Sequence, residues 1–159
     1  MSKKKTASQL PTPLFDSLTN MLSNDADDAI VNNKIKFHND FNIAKAFIMS
    51  YRGSEATFNA YRREVERLIQ WSWLNANKSI LKINRADFEQ YLDFCQAPPK
   101  AWIGTKNAPR FILKDGQSVA NPEWRPFVVS VSKSEFKNGS KPDISQYILS
   151  ERAIRELMA

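Results

Sequence analysis

Side chains able to do chemistry are few in this sequence, and their spacing argues against a catalytic centre. The one histidine, His38, has no cysteine near it in sequence and follows a polar stretch, so it reads as a solvated side chain and not as a base or metal ligand. The one cysteine, Cys95, falls at an apolar helical position beside Tyr91 and Leu92, which suits a small buried hydrophobe better than a nucleophile. Glu64 and Glu66, and Asp87 and Glu89, lie among basic residues at helical spacing and read as surface pairs. No Cys-x-x-Cys, phosphate-loop glycine pattern or His-Glu-x-x-His occurs. The expectation is a binding protein with neither catalytic site nor cofactor.

Binding chemistry is better represented. Over residues 54–74, ~100° per residue places Asn59, Arg63, Arg67 and Gln70 opposite an apolar face of Phe58, Tyr61, Val65, Leu68 and Ile69. Arg63 and Arg67, four apart, repel each other unless an anion faces them. Such a row reaches both phosphates and base edges in a major groove. The same row also reads as a solvated face that Glu64 and Glu66 neutralise. A second basic segment carries Lys100, Lys106 and Arg110, and Trp102 between the two lysines is a candidate for stacking on a base, although tryptophan more often packs at a core edge.

These residues depend on the elements that hold them. Ala44, Phe47, Ile48 and Tyr51 predict a helix over about 39–51, stopped by Gly53. The stripe-bearing helix follows, with Ser54 or Thr57 as its cap. Asn84 caps a third, with Asp87 in its first turn, Phe88, Tyr91, Leu92 and Cys95 on its buried face, and Pro98-Pro99 ending it. Residues 98–149 hold six of the eight prolines and three of the four glycines, which excludes a long helix. There, Arg110 to Gln117 reads as a strand entering an Asp-Gly turn, and Phe127, Val129 and Val131 alternate as another short strand. A last helix starts near Ser150, with Ile154, Leu157 and Met158 apolar, and reads as truncated. Residues 1–38 read as a polar arm, with Leu14, Phe15, Leu18, Met21 and Leu22 able to form one short apolar face. The expected architecture is therefore all-α, a four-helix bundle over residues 39–159 with an insertion at 98–149 carrying minor β structure.

Composition narrows the partner. The net charge of +6 is uneven: residues 1–40 are neutral, 41–96 carry eight basic and six acidic side chains, and 97–159 carry ten and six. That excess attracts polyanions through counterion release. No long uncharged apolar run suggests a membrane span, Met1 to Lys5 is not followed by the apolar stretch of a secretory leader, and a single cysteine suits a reducing compartment, so a cytoplasmic protein is expected.

The order of pieces resembles a known family. Phe47-Ile48-Met49-Ser50-Tyr51, Ser54-x-x-Thr57-Phe58-x-x-Tyr61, a helix ending Trp71-Ser72-Trp73, and Leu81-x-Ile83-Asn84-x-x-Asp87-x-x-x-Tyr91 are similar to the core-binding domain of tyrosine recombinases of the phage-integrase type, an orthogonal four-helix, sterile-alpha-motif-like domain. Trp102-Ile103-Gly104, Arg110-Phe111 and Asn121-Pro122-Glu123-Trp124-Arg125-Pro126-Phe127 look like a bacterial subgroup with an insertion before the last helix, which Ile148-Leu149-Ser150 would begin. The resemblance covers about residues 41–158. It implies a double-stranded DNA partner, protomers assembled on DNA, and a separate C-terminal catalytic domain bearing the nucleophilic tyrosine. On this resemblance that domain is expected to lie outside these residues, and the reaction to need no metal or nucleotide cofactor. Carried over by position, Thr57, Asn59, Arg63 and Arg67 would face DNA with Arg152 and Arg155. The implied role is clamping duplex DNA during integration or excision of a mobile element. A helical protein–protein adaptor and a DNA-binding regulator of another family are the alternatives, and no helix-turn-helix spacing supports the latter.

Overall fold

The computed structural model describes residues 10–23, 37–129 and 138–139. Helix α1 spans Leu18–Leu22, α2 His38–Met49, α3 Glu55–Trp71 and α4 Arg85–Gln96. A π-helical turn, Ser72–Ala76, prolongs α3 until Asn77 adopts φ 52° and ends it. Local chemistry sets the starts. The Ser17 side chain accepts from Asn20 N, Ser54 from Thr57 N, and Asn84 with Asp87 forms a reciprocal capping box.

After α4 the chain turns through a 3-10 segment, Lys100–Trp102, into four short strands: β1 Ile103–Gly104, β2 Phe111–Lys114, β3 Gln117–Ala120 and β4 Phe127–Val128. Strands β1 and β4 pair in parallel, Ile103 opposite Phe127, while β2 and β3 form a separate antiparallel hairpin. The all-α bundle expected from sequence is thus corrected to a mixed α and β architecture with two small sheets. The physical reason is where the core lies. Trp102, Ile103, Phe127 and Val129 bury themselves against Trp71, Tyr91 and Cys95, so the segment read as an insertion forms one wall of a hydrophobic core. The β1–β4 ladder satisfies the backbone that this burial takes from water. The expected last helix lies outside the described residues.

A second cluster holds Phe15, Phe41, Ala44, Ile48, Phe58 and Ile69. Phe15 is 1% exposed and stacks on Phe41 at 5.2 Å. Where the sequence reading draws a boundary at residue 38, residues 10–23 therefore belong to the folded unit. Helix α3 spans both clusters, Ile69 in one and Trp71 in the other. Asp40, 1% exposed, ties α2 to the chain beyond α3 by accepting from Trp73 Nε1 (2.9 Å), Ser79 Oγ (2.6 Å) and Ile80 N (2.9 Å). No described helix is long and apolar enough to cross a membrane.

Candidate nucleic-acid interface

The polar stripe expected along α3 splits into two halves of different character. In the first turns Asn59 is exposed, and Arg63 leaves 47% of its side chain in solvent beside Glu64 at 3.2 Å. Asn59 and Arg63 stand four residues apart on one row, pointing the same way. Thr57 is half-buried beside the cap, its N–H donating to Ser54 Oγ at 3.4 Å.

Beyond Arg63 the stripe turns inward. Arg67 keeps 12% of its side chain exposed, donates to the Pro126 carbonyl through Nε (2.9 Å) and a terminal nitrogen (2.7 Å), and lies 4.4 Å from the Phe127 ring centroid. Gln70, 2% exposed, donates to the Thr12 carbonyl at 2.8 Å. Arg67 and Gln70 therefore hold the protein together instead of facing a partner. Helical periodicity identified them as polar but could not show that two other segments cover that side.

Glu66, read from sequence as a surface carboxylate, is the centre of this buried polar seam. It is 1% exposed, accepts from Leu14 N (2.8 Å) and Phe15 N (3.2 Å), and pairs with Arg110. Arg110 keeps 16% of its side chain exposed and its guanidinium sits 5.0 Å from the Trp124 ring centroid, so it too is structural. Beside it, Arg62 donates to the Asp16 carbonyl at 2.7 Å. Burial, and then the charge of Arg110, bring the Arg62 guanidinium down to about 10.

The remaining candidates divide similarly. Lys100 is exposed in the 3-10 turn, and Lys106 is exposed though paired with Glu123 at 2.8 Å. The Lys106 ammonium in turn holds the Glu123 carboxyl below its ordinary value. Trp102 is 1% exposed, which removes it as a stacking platform. Arg152 and Arg155 lie outside the described residues. What the geometry does bring together is a run leading from Arg63 to Arg67, from Arg67 to Pro126 and Phe127, and through the β1–β4 ladder to the turn holding Lys100. Lys114, exposed at the end of β2, was not singled out from sequence because nothing there marks the hairpin as projecting.

The residues weighed for catalysis are placed as follows. Cys95 is 1% exposed, and burial pushes its thiol up to about 11, which suits core packing and not nucleophilic attack. Burial likewise raises the Tyr91 phenol well above its ordinary value. His38 is exposed at the first position of α2. Among the described residues no three His, Cys, Asp or Glu side chains gather as a metal site. Asp87 donates its charge to structure: the Lys78 ammonium at 2.7 Å and its place in the capping box hold its carboxyl below the ordinary value. No family model matches the chain, and no curated protein or solved structure matches it.

Proposed function

We propose that this chain is a double-stranded DNA-binding module, working in the cytoplasm as part of a site-specific recombinase whose chemistry resides in another domain. The observation that carries the reading is the exposure of Asn59 and Arg63 on successive turns of α3, a helix in which Arg62, Glu66, Arg67 and Gln70 are engaged by other segments. An amide and a guanidinium held on one rigid row match a base edge and a phosphate, and the buried seam fixes the row's direction. The net charge of +6 and the order of motifs resembling the core-binding domain support the same partner.

The test is a titration of duplex DNA across salt concentrations. Four exposed cations, Arg63, Lys100, Lys106 and Lys114, give a log–log slope of about −3 to −4 at roughly −0.9 per phosphate. Arg63→Ala makes that slope shallower by about 1. Failure to bind any duplex at low salt refutes the proposal. One observation favours a second reading, a protein-interaction module: Ile43, Phe47 and Tyr61 are 46%, 44% and 39% exposed, and the Phe47, Tyr51 and Tyr61 rings form one outward cluster. Under that reading Phe47→Ser abolishes partner capture and leaves DNA affinity unchanged.

A further inference from the structure

Asn59 and Arg63 share the outward row of α3, and the structure holds the two side chains differently. Asn59 is exposed, and its amide has no hydrogen-bond partner among the described residues. Ala56, one turn earlier, and Ala60, on the adjoining side of the helix, carry only methyl groups and leave that amide open to a close approach. Arg63 lies one turn later, about 6 Å further along the axis, and is aimed. Its Nε donates to Glu64 Oε1 at 3.2 Å, and the same oxygen lies 3.6 Å from a terminal nitrogen of Arg67. Arg67 is in turn locked to the Pro126 carbonyl, so Glu64 ties Arg63 to the rigid seam. Because Nε is the nitrogen engaged, the two terminal nitrogens of Arg63 have no partner among the described residues and present a fork. A fork on a steadied arm suits two oxygens of one phosphate. Glu55, exposed one turn before Asn59, bounds the row, since its carboxylate repels phosphates.

On DNA the fork would set the register and the amide would discriminate, because phosphate contacts position a protein and base contacts specify. A carboxamide offers one acceptor beside one donor. In the major groove adenine alone presents the complementary pair, N7 accepting and N6 donating. Guanine shows two acceptors there, cytosine a donor, and thymine an acceptor beside a methyl group. We infer that Asn59 is a specificity-determining residue and that the base it selects is adenine, read in the major groove while Arg63, steadied by Glu64, holds a neighbouring phosphate. The inference rests on the DNA-binding reading above and adds to it the base that is read and the residue that reads it.

The test uses the full chain and a library of duplexes with a randomised central stretch, selected at low salt and sequenced. The parent enriches sites that share one A·T pair. Asn59→Ala removes the preference at that pair alone and lowers affinity for the best site about tenfold or more, the scale of one bidentate base contact. It leaves the log–log salt slope unchanged, because no phosphate contact is lost. The variant keeps its fold, since Asn59 is exposed and alanine is the better helix former, and a thermal midpoint no lower than the parent's shows it. Arg63→Ala weakens every site alike and keeps the A·T preference. If Asn59→Ala enriches the same sites as the parent, or if the preference it loses is for a G·C pair, the adenine assignment is overturned and DNA binding stands. A parent that binds duplexes with no base preference overturns it in the same way. If the parent binds no duplex, both readings fall.

Discussion

Replacing Glu66 tests the architecture most sharply, because one carboxylate serves three segments. Glu66→Ala leaves the Arg110 guanidinium without its ion-pair partner and strands the Leu14 and Phe15 amides, which the Glu66 side chain alone is seen to accept. Breaking a buried ion pair costs about 3–5 kcal/mol, and each dry amide adds about 1 kcal/mol or more. Relaxation and water entry reduce the sum, so the expected loss is about 4–6 kcal/mol, a large part of the 5–15 kcal/mol that a domain possesses. At about 2–4 °C per kcal/mol, Tm falls by about 8–24 °C. The assay is urea unfolding followed by tryptophan fluorescence, which the four tryptophans report. Glu66→Gln, which keeps an acceptor for the amides but loses the charge and turns a donor toward Arg110, gives an intermediate loss and a readable midpoint if the alanine variant does not fold. Glu66→Met combined with Arg110→Met recovers the ion-pair part of the loss, since a hydrophobic pair replaces a buried ion pair at little cost, and leaves the part due to the Leu14 and Phe15 amides. Glu64→Ala, two residues away, removes only partly exposed pairs with Arg63 and Arg67 and costs about 1 kcal/mol. A loss under about 1 kcal/mol for Glu66→Ala refutes the seam.

Three further outcomes follow from the same geometry. Phe15→Ala costs about 3–5 kcal/mol by emptying a fully buried aromatic site, read as a shifted urea midpoint, whereas a free N-terminal arm gives no change. Arg67→Ala costs about 1–3 kcal/mol through two lost hydrogen bonds to Pro126 and the Phe127 ring contact, while Arg63→Ala stays within about 0.5 kcal/mol; equal effects on stability contradict the split stripe. With Cys95 raised from 9.0 to about 11, the folded state holds its proton more tightly than the unfolded one, so this contribution is complete below pH 9 and is lost as pH rises toward 11. Cys95→Ala flattens that part of the stability profile, and thiol-reactive probes label native protein only as fast as it unfolds.

Much of the fold was legible locally. The Ser54 and Asn84 caps, the stop at Pro98-Pro99 and the Asp-Gly hairpin all follow from residues within a few positions of one another. What periodicity cannot convey is which neighbour covers a face. The polar side of α3 reads as solvated because Arg, Glu and Gln normally are, yet two distant segments cover its later turns and engage Arg62, Glu66, Arg67 and Gln70. Periodicity likewise gives Phe15 an apolar face without showing that Phe41 covers it, and gives residues 102–129 no sign of packing on Trp71, Tyr91 and Cys95. Of the candidate site, Asn59 and Arg63 are exposed where helical geometry put them; Arg67 and Arg110 are absorbed by partners roughly fifty residues away, a distance no motif spans.

Those partners also govern how the chain acquires its structure. Glu66 waits on residues 51 and 52 positions earlier and on Arg110, 44 positions later, and Arg67 waits on Pro126, 59 positions later. Each closure costs chain entropy before any contact rewards it, so this protein folds more slowly than a helical bundle of its length. On the ribosome, α3 emerges with a carboxylate and two arginines whose proper partners are partly still unsynthesised. Until about residue 126 is out, the helix must stay solvated, and the N-terminal segment has only half of its eventual binding surface to settle on.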